Sequence, residues 1–106
     1  MDTTLSTLFE VIESRKGTDA DTSYTAQLFA KGRKKIAQKV AEEGSEVAIA
    51  AVSETKENVA SESADLLYHL LVLWSECGLS PAEVMEVLAK RQGISGLDEK
   101  ASRGGE

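Results

Sequence analysis

Proline, cysteine and aromatic residues are scarce in this chain: 106 residues hold one proline (Pro81), one cysteine (Cys77), one tryptophan, two tyrosines and two phenylalanines. A lone cysteine excludes an internal disulfide. The N-terminus lacks the basic start, apolar run and cleavage site of a secretory leader, which predicts a reducing, cytoplasmic setting. Long apolar runs are missing too. The strongest, 66–74, is interrupted by Tyr68 and His69 and falls far short of the roughly 20 residues a bilayer demands, so a soluble chain with no membrane partner is expected. No stretch alternates with a sustained period of two, which argues against a sheet. A net charge of -6 disfavours nucleic acid as a partner.

What remains is rich in Ala, Leu, Glu, Lys and Val, a composition that favours helices. The length suits one core, and the prediction is a single all-α domain over 1–106, a bundle of about four to five helices. Leu5, Leu8, Phe9 and Ile12 mark the inner face of a first helix over 2–15, capped by Asp2 or Thr3. A polar loop over 16–23 leads to a short helix with Tyr24, Leu28 and Phe29, which Gly32 breaks or stops. Helical periodicity then runs over 33–55, with stripe residues Ile36, Val40, Val47 and Ala51.

The segment 57–77 is the most apolar. Its expected stripe is Val59, Leu66, Leu70 and Leu73, but leucines cover most of its circumference. Such a helix needs cover on several sides, more than one short chain supplies, which predicts a homodimer that completes the bundle. Gly78 should end it, and Ser80, Pro81 and Glu83 have the spacing of a capping box opening a last helix, with Val84, Val87 and Leu88 inward. Residues 93–106 are rich in Gly, Ser and charge, and are expected to form a flexible tail unless a ligand orders them.

The two long helices carry E-E-G-S-E at 42–46 and E-S-A-D at 62–65. At these spacings Glu43 and Glu46 share one helix face, as do Glu62 and Asp65. Glu43 falls inside the apolar stripe, and the others lie along its borders. If the helices fold back near 55–56, a rise of about 1.5 Å per residue sets Glu46 level with Asp65, with Glu43 and Glu62 within a turn. Four carboxylates gathered at one height repel one another, and a bound divalent cation is the simplest reason for them. The competing explanation is a solvated acidic face, with Lys39 paired to Glu43 or Glu42.

Just before the acids stand Lys31, Arg33, Lys34, Lys35 and Lys39, which suit a phosphate clamp beside a metal or simply a solvated basic turn. Lys90, Arg91, Lys100 and Arg103 frame the tail and are candidates to close over a substrate. His69, one turn beyond Asp65, is more readily a hydrogen-bonded structural histidine than a ligand. Tyr68, Trp74 and Cys77 suit core or interface positions.

E-E-G-S-E followed by E-S-A-D resembles the E-E-x-x-E and E-x-x-D signature of the all-α nucleoside triphosphate pyrophosphohydrolases, the MazG-like superfamily. The flanking S-Y-T-A-Q-L-F-A-K-G, K-I-A-Q-K-V-A-E-E-G-S-E and E-S-A-D-L-L-Y-H-L-L-V-L-W, with the tail's S-G-L-D-E-K-A-S-R, look like the phosphoribosyl-ATP pyrophosphohydrolases of histidine biosynthesis, over nearly the whole chain. The resemblance implies Mg2+-dependent hydrolysis of phosphoribosyl-ATP to phosphoribosyl-AMP and pyrophosphate by a helical homodimer, with Mn2+ as an alternative ion. It implies Glu43, Glu46, Glu62 and Asp65 as metal ligands; Glu42, Glu43 and Glu46 are the candidate catalytic acids, Glu42, not needed as a ligand, being placed to orient water or hold Lys39. Arg33, Lys34, Lys35, Lys39, Lys90, Arg91, Lys100 and Arg103 are the candidate substrate-binding residues. Two alternatives stay open: a house-cleaning pyrophosphohydrolase acting on noncanonical nucleoside triphosphates, and a noncatalytic helical interaction module.

Overall fold

A computed structural model describes residues 3–92 as five α-helices with no strand among them. The expected tail over 93–106 lies outside the described residues, and with it Lys100 and Arg103. The helices are α1 (Thr4–Ser14), α2 (Tyr24–Lys31), α3 (Arg33–Ser53), α4 (Lys56–Cys77) and α5 (Pro81–Lys90). None is long and apolar enough to cross a membrane.

Local chemistry sets most of the boundaries. Ser23 accepts a hydrogen bond from the Ala26 amide and Thr55 one from the Asn58 amide, so each side chain satisfies a donor that the first turn would leave unpaired. Gly32 ends α2 and starts α3 at φ 94°, a conformation that a side chain resists, and this single residue turns the chain between them. Ser80 and Glu83 form a reciprocal capping box with Pro81 buried at the first turn of α5. Thr3 precedes α1 without a side-chain cap bond.

Glu54 and Thr55 alone separate α3 from α4, so the two long helices pack as an antiparallel hairpin. Helices α1 and α2 cover one end of it. There Ile12, Leu28, Ile36, Leu71 and Val72 form the core, flanked by Leu5, Leu8, Phe9, Phe29, Tyr68, Leu73 and Trp74. The opposite end is thinly covered: Ile49 is exposed and Val52 is 87% exposed.

The expected stripes shift accordingly. In α3 the buried alanine is Ala50 rather than Ala51. In α4 the fully covered residues are Leu71, Val72 and Ser75, while Val59, Leu66, Leu70 and Leu73 are half-buried. A helix apolar on nearly all sides does not select its core face by periodicity; the docking of α1 and α2 selects it. Likewise Val87 and Leu88 of α5 are exposed, because α5 meets α1 through a short contact and only Val84 turns partly inward.

A polar clamp fixes α1 to α4. The buried Ser75 hydroxyl donates to the Glu13 carboxylate, and Lys16 Nζ donates to the Ser75 carbonyl at 2.7 Å, pairs with Glu13 at 3.1 Å and lies 5.5 Å from the Phe29 ring centroid. The Ser75 hydroxyl chiefly holds the Glu13 carboxyl below its ordinary value. Neither Ser75 nor Lys16 is marked by sequence periodicity, since the clamp joins residues about sixty positions apart.

Candidate active site

The acids converge at mid-height on the α3–α4 hairpin, beyond the apolar core. From Ile36 to Glu43 is about two turns, or roughly 10 Å along α3. Glu43, Glu62 and Asp65 each present a carboxylate oxygen, and these atoms lie within 4.8 Å of one another. Glu46 approaches from the next turn of α3, near enough to act on the carboxyls of Glu43 and Glu62. Glu43, Glu62 and Asp65 thus form a tight trio, and Glu46 stands outside it.

Electrostatics mark the cluster as unfinished. Glu43 Oε2 and Glu62 Oε2 are buried without a hydrogen-bond partner, and a buried unpaired carboxylate oxygen is costly. Burial first, and then the contact with Glu46, pushes the Glu43 carboxyl above its ordinary value. For Glu62 the order reverses, the neighbouring Glu46 carboxyl leading and burial following. Protons shared between carboxyl groups, or a cation, would relieve the repulsion. Acid oxygens from three residues with two orphaned atoms fit a hard divalent ion such as Mg2+, which binds carboxylates while leaving positions for water and phosphate oxygens.

Glu42 is engaged by neighbours on its own helix. Its Oε1 pairs with Lys39 at 3.5 Å and its Oε2 accepts from Gln38 Nε2 at 2.8 Å, the latter bond leading in holding its carboxyl below the ordinary value. Lys39, one turn before Glu43, stands at the edge of the cluster, and Lys35 lies near enough to Glu42 to act on its charge. Arg33 sits about 15 Å along α3 from Glu43 and donates to the Glu76 carbonyl at 3.2 Å. Lys34 is exposed. Lys90 pairs with Glu86 at 3.7 Å, and Arg91 follows as the C-cap of α5, the helix that docks on α1. The candidate cations thus divide between a group on α3, close to the acids in Lys39, and a group on α5.

His69 is buried at 7% exposure and doubly hydrogen-bonded, with Nδ1 2.8 Å from the Asp65 carbonyl and Nε2 2.9 Å from the Tyr24 hydroxyl. Its ring is committed to protein partners, as a structural histidine should be. Tyr68 flanks the core, Trp74 is half-buried and Cys77 is exposed. Sequence reasoning gave Tyr24 no functional part, although it borders this network from α2; no local pattern links it to Asp65.

Residues 5–92 match the protein family described as phosphoribosyl-ATP pyrophosphohydrolase. Among curated proteins the chain is 62% identical over 99 residues to a phosphoribosyl-ATP pyrophosphatase of Paramagnetospirillum magneticum, covering 93% of this chain and 91% of that protein. It is 57% identical to the phosphoribosyl-ATP pyrophosphatase of Azospirillum brasilense, over 93% of this chain and 89% of the relative. With the protein of the same name from Rhodospirillum rubrum the identity is 56%, over 91% of this chain and 82% of the relative.

Proposed function

This chain belongs to the phosphoribosyl-ATP pyrophosphohydrolase family, and from that premise we propose that it hydrolyses phosphoribosyl-ATP to phosphoribosyl-AMP and pyrophosphate, a step of histidine biosynthesis, in the cytoplasm. The observation that carries the reading at the site is the convergence of Glu43, Glu62 and Asp65 with two orphaned buried oxygens. We assign these three and Glu46 as the holders of Mg2+, with Mn2+ able to replace it. The bound ion would supply charge neutralisation at the phosphoryl oxygens and a more acidic water.

The protein groups divide the remaining work. The carboxylates fix where phosphate oxygens and water meet, which converts an encounter into an oriented attack. Lys39 offers an ammonium to the phosphate chain beside them. Glu42, engaged by Gln38 and Lys39, holds that cation in place. Cleavage at the α–β anhydride transfers the bond to water oxygen and releases pyrophosphate. The direct test is pyrophosphate release from a panel of phosphoribosyl-ATP, ATP and noncanonical nucleoside triphosphates, with Mg2+ and with chelator. The expected result is metal-dependent release favouring phosphoribosyl-ATP; comparable turnover of the noncanonical triphosphates would transfer the chain to the house-cleaning class.

The same proposal includes a homodimer built on the hairpin. Leu67, Ile49 and Val52 are exposed where α1 and α2 do not reach, and Leu66, Leu70 and Leu73 are half-covered. Burial of such surface yields about 25 cal/mol per Å2. Sedimentation should therefore find a dimer at micromolar concentration, and Leu67→Glu should shift it toward monomer; a compact wild-type monomer would remove the dimer from the proposal.

A further inference from the structure

Asp65 depends on its backbone more than the other two acids of the trio do. A glutamate reaches its site through three side-chain torsions and an aspartate through two, so the place of the Asp65 oxygens follows closely from the peptide that carries them. The residue is exposed, and packing does little to fix its side chain. What secures the backbone at that point is His69.

His69 stands one turn beyond Asp65 on α4, buried, with Nδ1 2.8 Å from the Asp65 carbonyl. A carbonyl only accepts hydrogen bonds, so this contact places the ring proton on Nδ1. In an α-helix that oxygen also faces the amide four residues on, which makes the ring bond a second tie on one peptide unit. With Nδ1 protonated, Nε2 of the neutral ring is an acceptor, and the Tyr24 hydroxyl, 2.9 Å away, donates to it. Tyr24 opens α2, so the connection crosses between helices, from α2 through the imidazole to the peptide of Asp65.

A second bond runs beside the first. Thr25, the next residue of α2, is buried and shares a hydrogen bond with the hydroxyl of Tyr68, the neighbour of His69 on α4. Two successive residues of one helix are thus sutured to two successive residues of the other. The rings add to this: Tyr68 and Tyr24 meet His69 edge-on, with centroids 5.2 Å and 5.8 Å away, and stack on each other at 6.3 Å. Rings packed edge to face oppose rotation of the imidazole. Helix α2 also packs on α3, which carries Glu43, so the suture relates both acid-bearing helices to one element.

We propose that His69 is a positioning residue for the carboxylate trio: locked by Tyr24 of α2, it holds the turn of α4 that carries Asp65 and so keeps the Asp65 carboxylate in place to bind a divalent cation. The inference rests on the reading of the trio as a metal site given above. A ligand set that is placed before the ion arrives loses less freedom on binding it.

The test is Tyr24→Phe, which keeps the ring and removes the donor to His69; Tyr24 is 48% exposed, so the chain should fold without the hydroxyl. Altering the outer partners of a metal ligand costs about 10- to 100-fold in metal affinity. Tyr24 acts one bond further out, and Mn2+ titration of the full chain without substrate, followed by the electron paramagnetic resonance of the free ion, should give a Kd about three- to tenfold weaker than wild type. The control is Ser75→Ala, which removes a buried hydrogen bond of the same helix roughly 15 Å further along; it should lower the Tm yet leave the Mn2+ Kd within about 1.5-fold. An unchanged Kd in Tyr24→Phe, or an equal loss in Ser75→Ala, overturns the proposal. A second readout needs no metal: the 13C carboxyl resonance of Asp65 should move in Tyr24→Phe and stay in Ser75→Ala. If wild type bound no Mn2+, the metal reading would fall by itself and this resonance would still decide the positioning, its persistence in Tyr24→Phe overturning it.

Discussion

Glu62→Gln and Asp65→Asn should each lower Mg2+-supported pyrophosphate release by at least about a hundredfold while leaving the helices folded. Altering groups that merely surround a metal site costs about 10- to 100-fold, and a removed ligand costs no less. The stability readout separates a ligand from a packing residue by its sign. A carboxyl whose folded value is raised above its unfolded value contributes stability that is fully present below the unfolded value and lost as pH rises through the folded one. Glu62 is raised by the neighbouring Glu46 carboxyl and by burial, Glu43 by burial and by Glu46. The metal-free protein should therefore be firmer in mild acid than at neutral pH at these positions. A side-chain amide cannot ionise, so Glu62→Gln should melt higher than wild type at pH 7.5 in chelator, and should gain little when Mg2+ is added, whereas wild type gains clearly. Thermal unfolding with and without Mg2+ at pH 5 and 7.5 measures all of this. Wild-type turnover in either variant at limiting Mg2+ would remove that residue from the ligand set.

The sequence made the acid cluster legible because its geometry is nearly local. Two helices with a fixed rise and a two-residue connection leave little freedom in which carboxylates share a height, so the meeting of Glu43, Glu62 and Asp65 follows once the hairpin is recognised. Helix ends were legible for the same reason: Gly78 and the Ser80–Glu83 box act through neighbours a few residues away. What was not legible depends on docking. The stripe expected on α4 missed Leu71, Val72 and Ser75 because an all-round apolar helix offers no preferred face until α1 and α2 arrive. The Ser75–Glu13 bond and the Tyr24–His69 bond join residues 62 and 45 positions apart, and neither has a periodic signal. The basic residues were ambiguous for another reason: charge attracts any acid in reach, and Arg33 and Lys90 found Glu76 and Glu86.

Truncation after Gln92 is expected to cut kcat/KM for phosphoribosyl-ATP by about two orders of magnitude and that for ATP far less. In the proposed site the acid cluster and Lys39 would meet metal and phosphate chain, features that both substrates share, so discrimination requires cations reaching the additional ribose 5-phosphate. Among the described candidates Arg33 is held toward Glu76, about 15 Å along α3 from Glu43, and Lys90 is paired with Glu86. Exposed pairs of this kind are weak and would yield to a phosphate, but Arg33 would still approach from the far end of the helix. Lys100 and Arg103, carried on the chain beyond α5, are two further cations with the chemistry required, and both are lost on truncation. A charge-assisted contact to phosphate contributes about 1.5–3 kcal/mol, so losing two amounts to roughly a hundredfold or more. The measurement is kcat/KM of the truncated and full chains on both substrates. An equal loss on both, or no loss on either, would reject the terminal segment as the reader of the second phosphate; the preference would then have to come from the Arg33, Lys34 and Lys35 group, with Arg33 exchanging Glu76 for the substrate.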